Sequence, residues 1–256
     1  MKITFLGTGT SVGVPMIGCH CKVCKSTDVR DRRLRTSALV EVGDKKILID
    51  VGPDFRTQML SCGAERIDAV LLTHHHYDHV GGMDDLRAVN HIMHQSLSIY
   101  ANAETVSAIS KSLYYVFEAK PYPGVARLDL HTVYPFQPFE VAGVSVLPLS
   151  VMHGRLPIAG YRIGRLAYIT DASVVPPETI EALRGVEVLV VNALRFEPHP
   201  SHMSLAESLQ IVESVAPREA YFIHMSHDIG LASETEKLLP NGCHLAYDGL
   251  CFEVAD

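Results

Sequence analysis

Histidine and aspartate side chains crowd into one short segment that follows a predicted buried strand. In an extended chain, residues two apart point the same way, so His74 and His76 can present their imidazoles to one metal ion while His75 faces away. After a turn, Asp78 and His79 can reach a second metal ion nearby. Imidazole nitrogens and carboxylate oxygens suit Zn²⁺, Mn²⁺ or Fe²⁺. A solvated histidine-rich loop is the alternative, but the segment HHHYDHVGG favours a metal centre.

Three cysteines lie close together in an early loop, at about residues 18–28. Cys19, Cys21 and Cys24 are too close for an ordinary disulfide framework. They can instead supply three of the four ligands of a structural Zn²⁺ site. His20 lies between two of them and is expected to point away. The alternative is three reduced loop cysteines without a metal, and we favour the zinc site.

The composition limits the class of protein. The chain has 256 residues, of which 47% are hydrophobic and 20% are charged, so it can bury a sizeable core in a single domain over 1–256. The formal net charge of −7 disfavours a broad phosphate-binding face, so a nucleic-acid polymer is not expected as a partner. No apolar run is long enough to cross a membrane, and the start does not have the pattern of a signal peptide. We therefore expect a cytoplasmic protein with no membrane partner.

Hydrophobic patterns predict strands near both ends of the chain with helices between them. A Gly-Asp pair after residue 42 predicts a hairpin, and Ser204 with Glu207 fits a capping box at the start of a helix. The segment 119–139, which holds many proline and aromatic residues, is a candidate lid or interface. Together these patterns predict one α/β domain with mixed sheets.

Further interpretations concern packing. The spacing of apolar residues predicts a helix over 104–117. Cys62, Cys243 and Cys251 are interpreted as core residues because they lie in helix or strand contexts. The basic stretch 30–35 is interpreted as a solvated face.

An HxHxDH pattern after a strand is the signature of the metallo-β-lactamase fold, and further landmarks of that fold occur in order. Asp50 ends the strand ILID, His153 follows VSVLPLSV, Asp171 lies in YITDAS and His224 lies in YFIHMSH. The cysteine cluster and the segments FIHMSHD and YDGL are most similar to the phosphoribosyl 1,2-cyclic phosphate phosphodiesterase family. The matches cover nearly the whole chain.

The resemblance implies an αββα sandwich, α/β (α+β) in class, with two mixed sheets flanked by helices. It implies two divalent metal ions, Zn²⁺ or Mn²⁺, at the edge of the sandwich, and His227 as the fourth ligand of one structural Zn²⁺. Asp50 is expected to support the ligands by hydrogen bonds. The resemblance implies that one ion would be held by His74, His76 and His153. The other would be held by Asp78, His79 and His224. Asp171 would bridge the two ions.

His202, in the segment HPSHMSLAES, is the candidate general acid. In the family that this chain resembles, a histidine here faces the substrate and can protonate the leaving oxygen, and an imidazole suits that work. The alternative is that a serine caps the next helix and leaves His202 merely exposed. His199 is a second candidate for the same role. Asp78 is the other catalytic candidate, besides being a metal ligand.

These residues predict a metal-dependent hydrolase. The resemblance implies a phosphodiesterase that opens a small cyclic ribose or nucleotide phosphodiester, by attack of a hydroxide that bridges two metal ions. Asn192 stands where the resembling family has an acidic residue, so the substrate can differ.

Several alternatives remain open at this point. A tRNase Z-like or other nuclease of the same fold should carry a basic arm, which this chain does not show. A β-lactamase is less expected, because many β-lactamases have a cysteine where this chain has Asp171. A thioester hydrolase is less expected, because no long helical segment follows. A non-catalytic metal-binding scaffold would be expected to lack some ligands. Aromatic residues around Tyr114 and Tyr122 can form a homodimer face or a lid, or can simply pack in the core.

Overall fold

The computed structural model describes residues 1–255, which contain two β-sheets of seven strands each. In chain order the strands are β1 (Lys2–Gly7), β2 (Ser37–Val42), β3 (Lys45–Ile49), β4 (Ala69–Leu71), β5 (Leu97–Ala101), β6 (Leu128–Thr132), β7 (Phe139–Val141), β8 (Val144–His153), β9 (Leu156–Ile163), β10 (Leu166–Ile169), β11 (Val188–Asn192), β12 (Glu219–Ile223), β13 (Cys243–Leu245) and β14 (Cys251–Glu253).

Both sheets are mixed. The first has the order β14-β1-β2-β3-β4-β5-β6 and the second has the order β13-β12-β11-β10-β9-β8-β7. In the first sheet β1 and β2 are antiparallel while β3, β4, β5 and β6 are parallel. In the second, β8 and β9 are antiparallel while β10, β11, β12 and β13 are parallel.

Helices cover the outer faces of the two sheets. The α-helices are α1 (Phe55–Cys62), α2 (Tyr77–Val80), α3 (Leu86–Met93), α4 (Ala103–Ser112), α5 (Pro177–Ala182), α6 (Leu205–Val215) and α7 (Ala232–Thr235), and short 3-10 turns lie at Val29–Asp31, Met83–Asp85, Tyr114–Val116, His227–Ile229 and Glu236–Leu238.

Alternation along the central strands explains the layers. In β3, Ile47 and Ile49 belong to the core between the sheets, whereas Leu48 joins the core under α1, α3 and α4. In β11, Val190 faces the inner core and Leu189 faces the core under α5 and α6. Successive side chains of a strand point to opposite faces, so an uninterrupted apolar run fits a strand that is covered on both sides. The predicted αββα sandwich of the metallo-β-lactamase fold is confirmed.

Local signals fixed several element ends. The hairpin between β2 and β3 turns at Gly43, whose φ of 59° is readily adopted by glycine. Helix α6 begins with the predicted capping box: Ser204 accepts from the backbone N–H of Glu207, and Glu207 accepts from the backbone N–H of Ser204.

The structure corrects two element predictions. The helix predicted over 104–117 ends at Ser112 and continues as a 3-10 turn over Tyr114–Val116. The segment 119–139 contains β6, which pairs with β5 as the edge strand of the first sheet. Most residues of β6 are at least partly exposed, so the alternation that marks a strand is weak there.

Two packing predictions are corrected. The core prediction is wrong for Cys251, which is exposed because β14 is a short edge strand. Cys243 is buried, and Cys62 is half-buried and packs against the core under α1, α3 and α4. Arg33 is 3% exposed instead of solvated, and its Nη1 donates to the Thr8 hydroxyl at 2.9 Å. Among the described residues, none of the helices is long and apolar enough to span a membrane.

Candidate metal centre

The polar residues of the candidate centre lie where strands of both sheets end. Parallel strands share a direction, so the residues that follow them meet at one edge of the sheet. Asp50 follows β3 in the first sheet, whereas Asp171 and His224 follow β10 and β12 in the second. His153 is the last residue of β8. The two sheets therefore bring residues from distant parts of the chain to a common edge.

The histidine-rich segment turns at this edge through a short helix. His74 is fully buried beyond β4, and α2 begins directly after His76. The backbone N–H of His79 donates to the carbonyl of His76 at 2.9 Å. A Cβ on Gly52 would lie 2.2 Å from the carbonyl oxygen of Asp78, so glycine permits α2 to lie against the end of β3. The turn predicted before Asp78 is thus helical.

One group of ligand atoms comes from three histidines. Atoms of His74, His76 and His153 lie within 4.8 Å of one another. The ring centroid of His76 is 4.6 Å from that of His74 and 5.0 Å from that of His153. His74 is buried while His76 is exposed, so solvent reaches the group from one side. Three imidazoles with an open side are typical of a catalytic rather than a closed structural zinc site.

A second group lies deeper. Atoms of Asp78, His79, Asp171 and His224 also lie within 4.8 Å of one another, and all four residues are buried. His79 Nε2 is 3.2 Å from Asp78 Oδ2 and 3.3 Å from Asp171 Oδ1. Two carboxylates and two imidazoles form a hard, negatively charged donor set that suits a divalent cation.

Asp171 lies between the two groups. Its Oδ1 is 3.1 Å from His224 Nδ1, and its Oδ2 is 3.9 Å from His74 Nε2. The two oxygens of one carboxylate therefore face different groups. A carboxylate in this position can contact two cations of a dinuclear site at once.

Buried hydrogen bonds orient the imidazoles. Asp50, which is fully buried, accepts from the backbone N–H and the hydroxyl of Thr73, both at 2.8 Å, and its Oδ2 is 2.7 Å from His79 Nδ1. This contact leaves His79 Nε2 facing the centre. His153 Nδ1 is 2.7 Å from the carbonyl oxygen of Ser201, which leaves its Nε2 free in the same way.

Two threonines near the centre were missed at the level of sequence. The hydroxyl of Thr10 is 3.3 Å from His224 Nε2, and that of Thr36 is 3.3 Å from His224 Nδ1. Both threonines are buried. Threonines in a glycine-rich loop and just before a strand carry no metal-site signal. Only the bridges from Gly9 to Arg35 and to Met225, which join distant segments, bring them to His224.

Backbone strain concentrates at three residues of the centre. Asp50, Asp171 and His224 have φ angles of 62°, 57° and 55°, in the left-handed region that L-residues rarely adopt. Each follows a strand and turns its side chain toward the centre. Non-glycine residues hold such angles at a cost of about 1–3 kcal/mol, and this strain clusters at functional sites.

The electrostatics of the centre resemble those of a cation site. Burial lowers the pKa of His74 well below its usual range and that of His224 to about 4. Both rings are therefore uncharged near neutral pH, which is the form in which imidazole binds a metal ion. Burial alone would also lower the pKa of His79, but the carboxylates of Asp171, Asp50 and Asp78 raise it well above its usual value. Three carboxylates around one ring concentrate negative charge that suits a divalent cation.

His202 faces the centre and is not simply exposed. Its side chain is 13% exposed, and its Nε2 is 3.3 Å from Asp171 Oδ2. Ser204 caps α6 at the same time, so capping and a position beside Asp171 are compatible. His199 lies farther out, and its Nδ1 is 3.2 Å from His202 Nδ1.

The cysteine cluster is a separate group on the protein surface. Ligand atoms of Cys19, Cys21, Cys24 and His227 lie within 4.8 Å of one another, and His20 is exposed outside the group. Cys21 Sγ is 3.5 Å from His227 Nδ1 and accepts from the backbone N–H of Cys24 at 3.4 Å. That backbone hydrogen bond lowers the pKa of Cys21 to about 6, which favours the thiolate that binds metal.

Asn192 supports the centre from behind instead of bordering it. It is fully buried, accepts from the backbone N–H of Ala172 at 2.7 Å and donates to the Ala172 carbonyl at 3.0 Å. An amide can do both, whereas an ionised carboxylate can only accept. The residue therefore fixes the turn that carries Asp171.

Comparisons with known proteins agree with this geometry. Residues 45–225 match the family described as β-lactamase superfamily domain. A solved structure described as a new diphosphatase from the PhnP family is 41% identical, with a TM-score of 0.91 over 98% of this chain and 96% of that one. Zinc-bound PqqB from Methylobacterium extorquens is 21% identical, with a TM-score of 0.80 over 99% of this chain and 100% of that one, and this likeness shows the fold alone.

An octanoyltransferase of Porphyromonas gingivalis is 46% identical over 98% of this chain. This chain spans only 51% of that protein, so the name does not tell which activity belongs to the matched half. The donor chemistry of the two His/Asp groups points to binding of divalent metal ions. By the family match and the full-length likeness to the diphosphatase, this chain belongs to the β-lactamase superfamily and, within it, to the PhnP family.

Proposed function

We propose that this chain is a dinuclear metal-dependent phosphodiesterase that hydrolyses a small phosphodiester, either a cyclic ribose phosphate or a related nucleotide. One observation carries the proposal: ligand atoms from the ends of strands in both sheets form two groups that meet at Asp171. Two adjacent cation sites are the arrangement that hydrolases use for displacement at phosphorus.

The donor atoms fit metal ions. His74 Nε2 is buried without a hydrogen-bond partner, although buried polar atoms are nearly always paired. In this proposal His74, His76 and His153 would hold one ion. Asp78, His79 and His224 would hold the other, and Asp171 would serve both. Bound Zn²⁺ or Mn²⁺ ions supply Lewis acidity and a water that is nucleophilic at neutral pH.

The chain's own residues would then orient the reaction. Asp50 holds His79 Nδ1 so that Nε2 faces the centre, and the Ser201 carbonyl does the same for His153. His202 would donate a proton from Nε2 to the leaving oxygen, since it lies beside Asp171 and remains partly accessible. Asp78 would act as a ligand whose ionised form is favoured, because the charge on His79 holds its pKa below its usual range despite burial.

The cysteine cluster would hold one structural Zn²⁺ through Cys19, Cys21, Cys24 and His227. This assignment is supported by the closeness of the four ligand atoms, 4.8 Å or less. The site would join the early loop to the turn after β12, which also carries His224. Zinc there would steady the active centre from outside it.

A second candidate substrate is a phosphoric anhydride. The relative that is 41% identical is described as a diphosphatase. A phosphodiester and a phosphoanhydride both require displacement at phosphorus, so the same centre could serve either. The net charge of −7 argues against a long nucleic-acid substrate.

A substrate panel tests the proposal. The purified protein, loaded with Zn²⁺ or Mn²⁺, would be given bis-p-nitrophenyl phosphate, a nucleoside 2′,3′-cyclic phosphate, a dinucleoside diphosphate and an octanoyl thioester. We expect metal-dependent release of product from the cyclic phosphate. Preferential cleavage of the diphosphate would favour the second candidate, and hydrolysis of the thioester alone would overturn both. His91→Ala, on the exposed side of α3, is the control variant and should leave turnover unchanged.

A further inference from the structure

His199 lies outside the two groups of ligand atoms that surround Asp171, yet it contacts His202 directly. The Nδ1 atoms of the two rings are 3.2 Å apart, and the ring centroids are 5.1 Å apart. Two ring nitrogens at this distance form a hydrogen bond only when one of them carries the proton. The direction of this bond therefore determines whether Nδ1 of His202 carries a proton.

The backbone of Ser201 decides the direction. Its N–H donates to His199 Nδ1 at 3.4 Å. A backbone N–H can only donate, so His199 Nδ1 is an acceptor. A hydrogen bond between the two Nδ1 atoms therefore requires the proton on His202 Nδ1. The alternative is that the Ser201 hydroxyl, 3.1 Å away, donates to a bare His202 Nδ1. The 3.2 Å contact between the two rings favours the first arrangement.

With its Nδ1 engaged, His202 has only Nε2 directed to the centre, 3.3 Å from Asp171 Oδ2. The ring is further confined by His153, at a centroid distance of 4.6 Å, and by His224, which stacks on it at 5.0 Å with planes 12° apart. The contact with His199 is therefore the one that selects the proton position, while the neighbouring rings fix the plane.

The loop that carries His199 is itself braced. The Arg195 guanidinium donates to the carbonyl of Glu197 at 3.2 Å and to the carbonyl of Pro198 at 2.9 Å. These bonds close a tight loop just before His199. A half-buried histidine on a braced loop can hold a fixed orientation toward its partner.

We propose that His199 is a positioning residue: it accepts the Nδ1–H of His202 and thereby directs Nε2 of that ring to the leaving oxygen. This inference rests on the phosphodiester hydrolysis proposed above. In the step, the bond from phosphorus to the leaving oxygen breaks and its electron pair stays on oxygen. The acid is the imidazolium form of His202, which carries protons on both ring nitrogens. Its Nε2–H bond breaks, an O–H bond forms on the leaving group, and the ring is left neutral with its proton on Nδ1. Solvent later returns a proton to Nε2.

Two variants separate the acceptor atom from the ring. His199→Phe keeps a ring but removes the acceptor, whereas His199→Asn removes the ring and offers an amide oxygen near the position of Nδ1. Bis-p-nitrophenyl phosphate releases a stable phenolate that needs no proton, and a nucleoside 2′,3′-cyclic phosphate releases an alkoxide that does.

For His199→Phe we expect kcat on the cyclic phosphate to fall about tenfold, with KM and turnover of the chromogenic ester nearly unchanged. His199→Asn should recover most of the loss. Equal losses on both substrates for His199→Phe, or no recovery with His199→Asn, would overturn the inference, because a merely structural role predicts that pattern.

Side-chain nitrogen NMR tests the same point without turnover. In the wild-type protein the His202 ring should show a protonated Nδ1, with the resonance assigned by its loss in His202→Gln. His199→Phe should shift this signal and His199→Asn should restore it. A bare Nδ1 in the wild type would overturn the inference even if the enzyme is active, whereas a protonated Nδ1 in a protein without phosphodiesterase activity would overturn the proposed function alone.

Discussion

The chain contains two groups of candidate metal ligands that are built in opposite ways. The His/Asp centre lies at strand ends, and His74, His79, Asp171 and His224 are at most 2% exposed. The cysteine cluster lies in an irregular loop, and all four of its residues are only half-buried. Rigid strands and buried hydrogen bonds can hold the first group in place before any ion arrives, whereas the second has little but its own ligands to hold it.

Under the proposed function, the two groups have different roles: ions in the His/Asp centre support activity, and the ion in the cysteine cluster supports structure. In the first group, loss of an ion should remove chemistry and leave the fold. In the second, loss of the ion should loosen the loop and the turn after β12, and only indirectly affect chemistry. The following predictions test that division from the largest expected effect to the smallest.

Asp171→Asn should give the largest loss. Within the His/Asp centre, the variant removes the charge that lies between the three-histidine group and the group of Asp78, His79 and His224, so we expect turnover to fall on the order of a thousandfold. Thermal unfolding should change little, because the strands that carry the centre remain. Turnover and melting temperature would be measured beside Asp129→Asn, an exposed acidic control on β6. Unfolding of Asp171→Asn at ambient temperature would contradict the claim that the centre is preformed.

Asp50→Asn should have a smaller effect of the same kind. The amide can no longer accept all three hydrogen bonds from Thr73 and His79. Loss of such a supporting partner typically lowers metal affinity or activity about 10- to 100-fold. Metal titration followed by calorimetry checks this, and an unchanged affinity would show that His79 needs no support.

Cys21→Ser tests the second group. We expect the loss of one tightly bound Zn²⁺ per chain, faster proteolysis within the early loop, and a fall in turnover of about tenfold or less. Cys251→Ser, at an exposed cysteine away from the cluster, is the matched control. A loss of turnover as large as that of Asp171→Asn would mean that the two groups are not separable.

The smallest expected effect is a change in the pH dependence of stability, and it concerns Asp248, which anchors the early loop. Asp248 accepts from Thr8 and from the backbone N–H of Leu34, and burial raises its pKa to about 6 from the usual 3.8. The folded state therefore binds the proton more tightly than the unfolded state. The protonated Asp248 therefore contributes to the free energy of unfolding below the pKa that it has in the unfolded chain. This contribution is lost as the pH rises through its pKa in the folded protein.

Asp248→Asn should remove this dependence. Relative to the variant, the wild type should lose about 1 kcal/mol of unfolding free energy between about pH 5 and about pH 7. Urea unfolding at the two pH values measures the difference. A wild type that gains stability relative to the variant over this range would show that the carboxylate is favourably charged in the fold.

The sequence predicted correctly those features whose signal lies in a short run of neighbouring residues. The run of His74, His76, Asp78 and His79, the capping box at α6 and the hairpin at Gly43 each carry their signal within a few residues. The layered fold followed from strand patterns together with the landmarks of the resembling family.

What the sequence did not show depends on contacts between distant segments. Thr10 and Thr36 touch His224 only because the two sheets meet at this edge. Arg33 is buried by neighbours such as Thr8 and Ala246, which no local pattern predicts. Asn192 carries no local signal of a role, and only its two bonds to Ala172 show that it serves the turn at Asp171.

Anomalous diffraction from crystals grown with manganese tests the central claim most directly. The account predicts two peaks on opposite sides of the Asp171 carboxylate, one against the His74, His76 and His153 imidazoles and one against Asp78, His79 and His224. A map without manganese at this edge, or with these side chains turned away from the peaks, would contradict it.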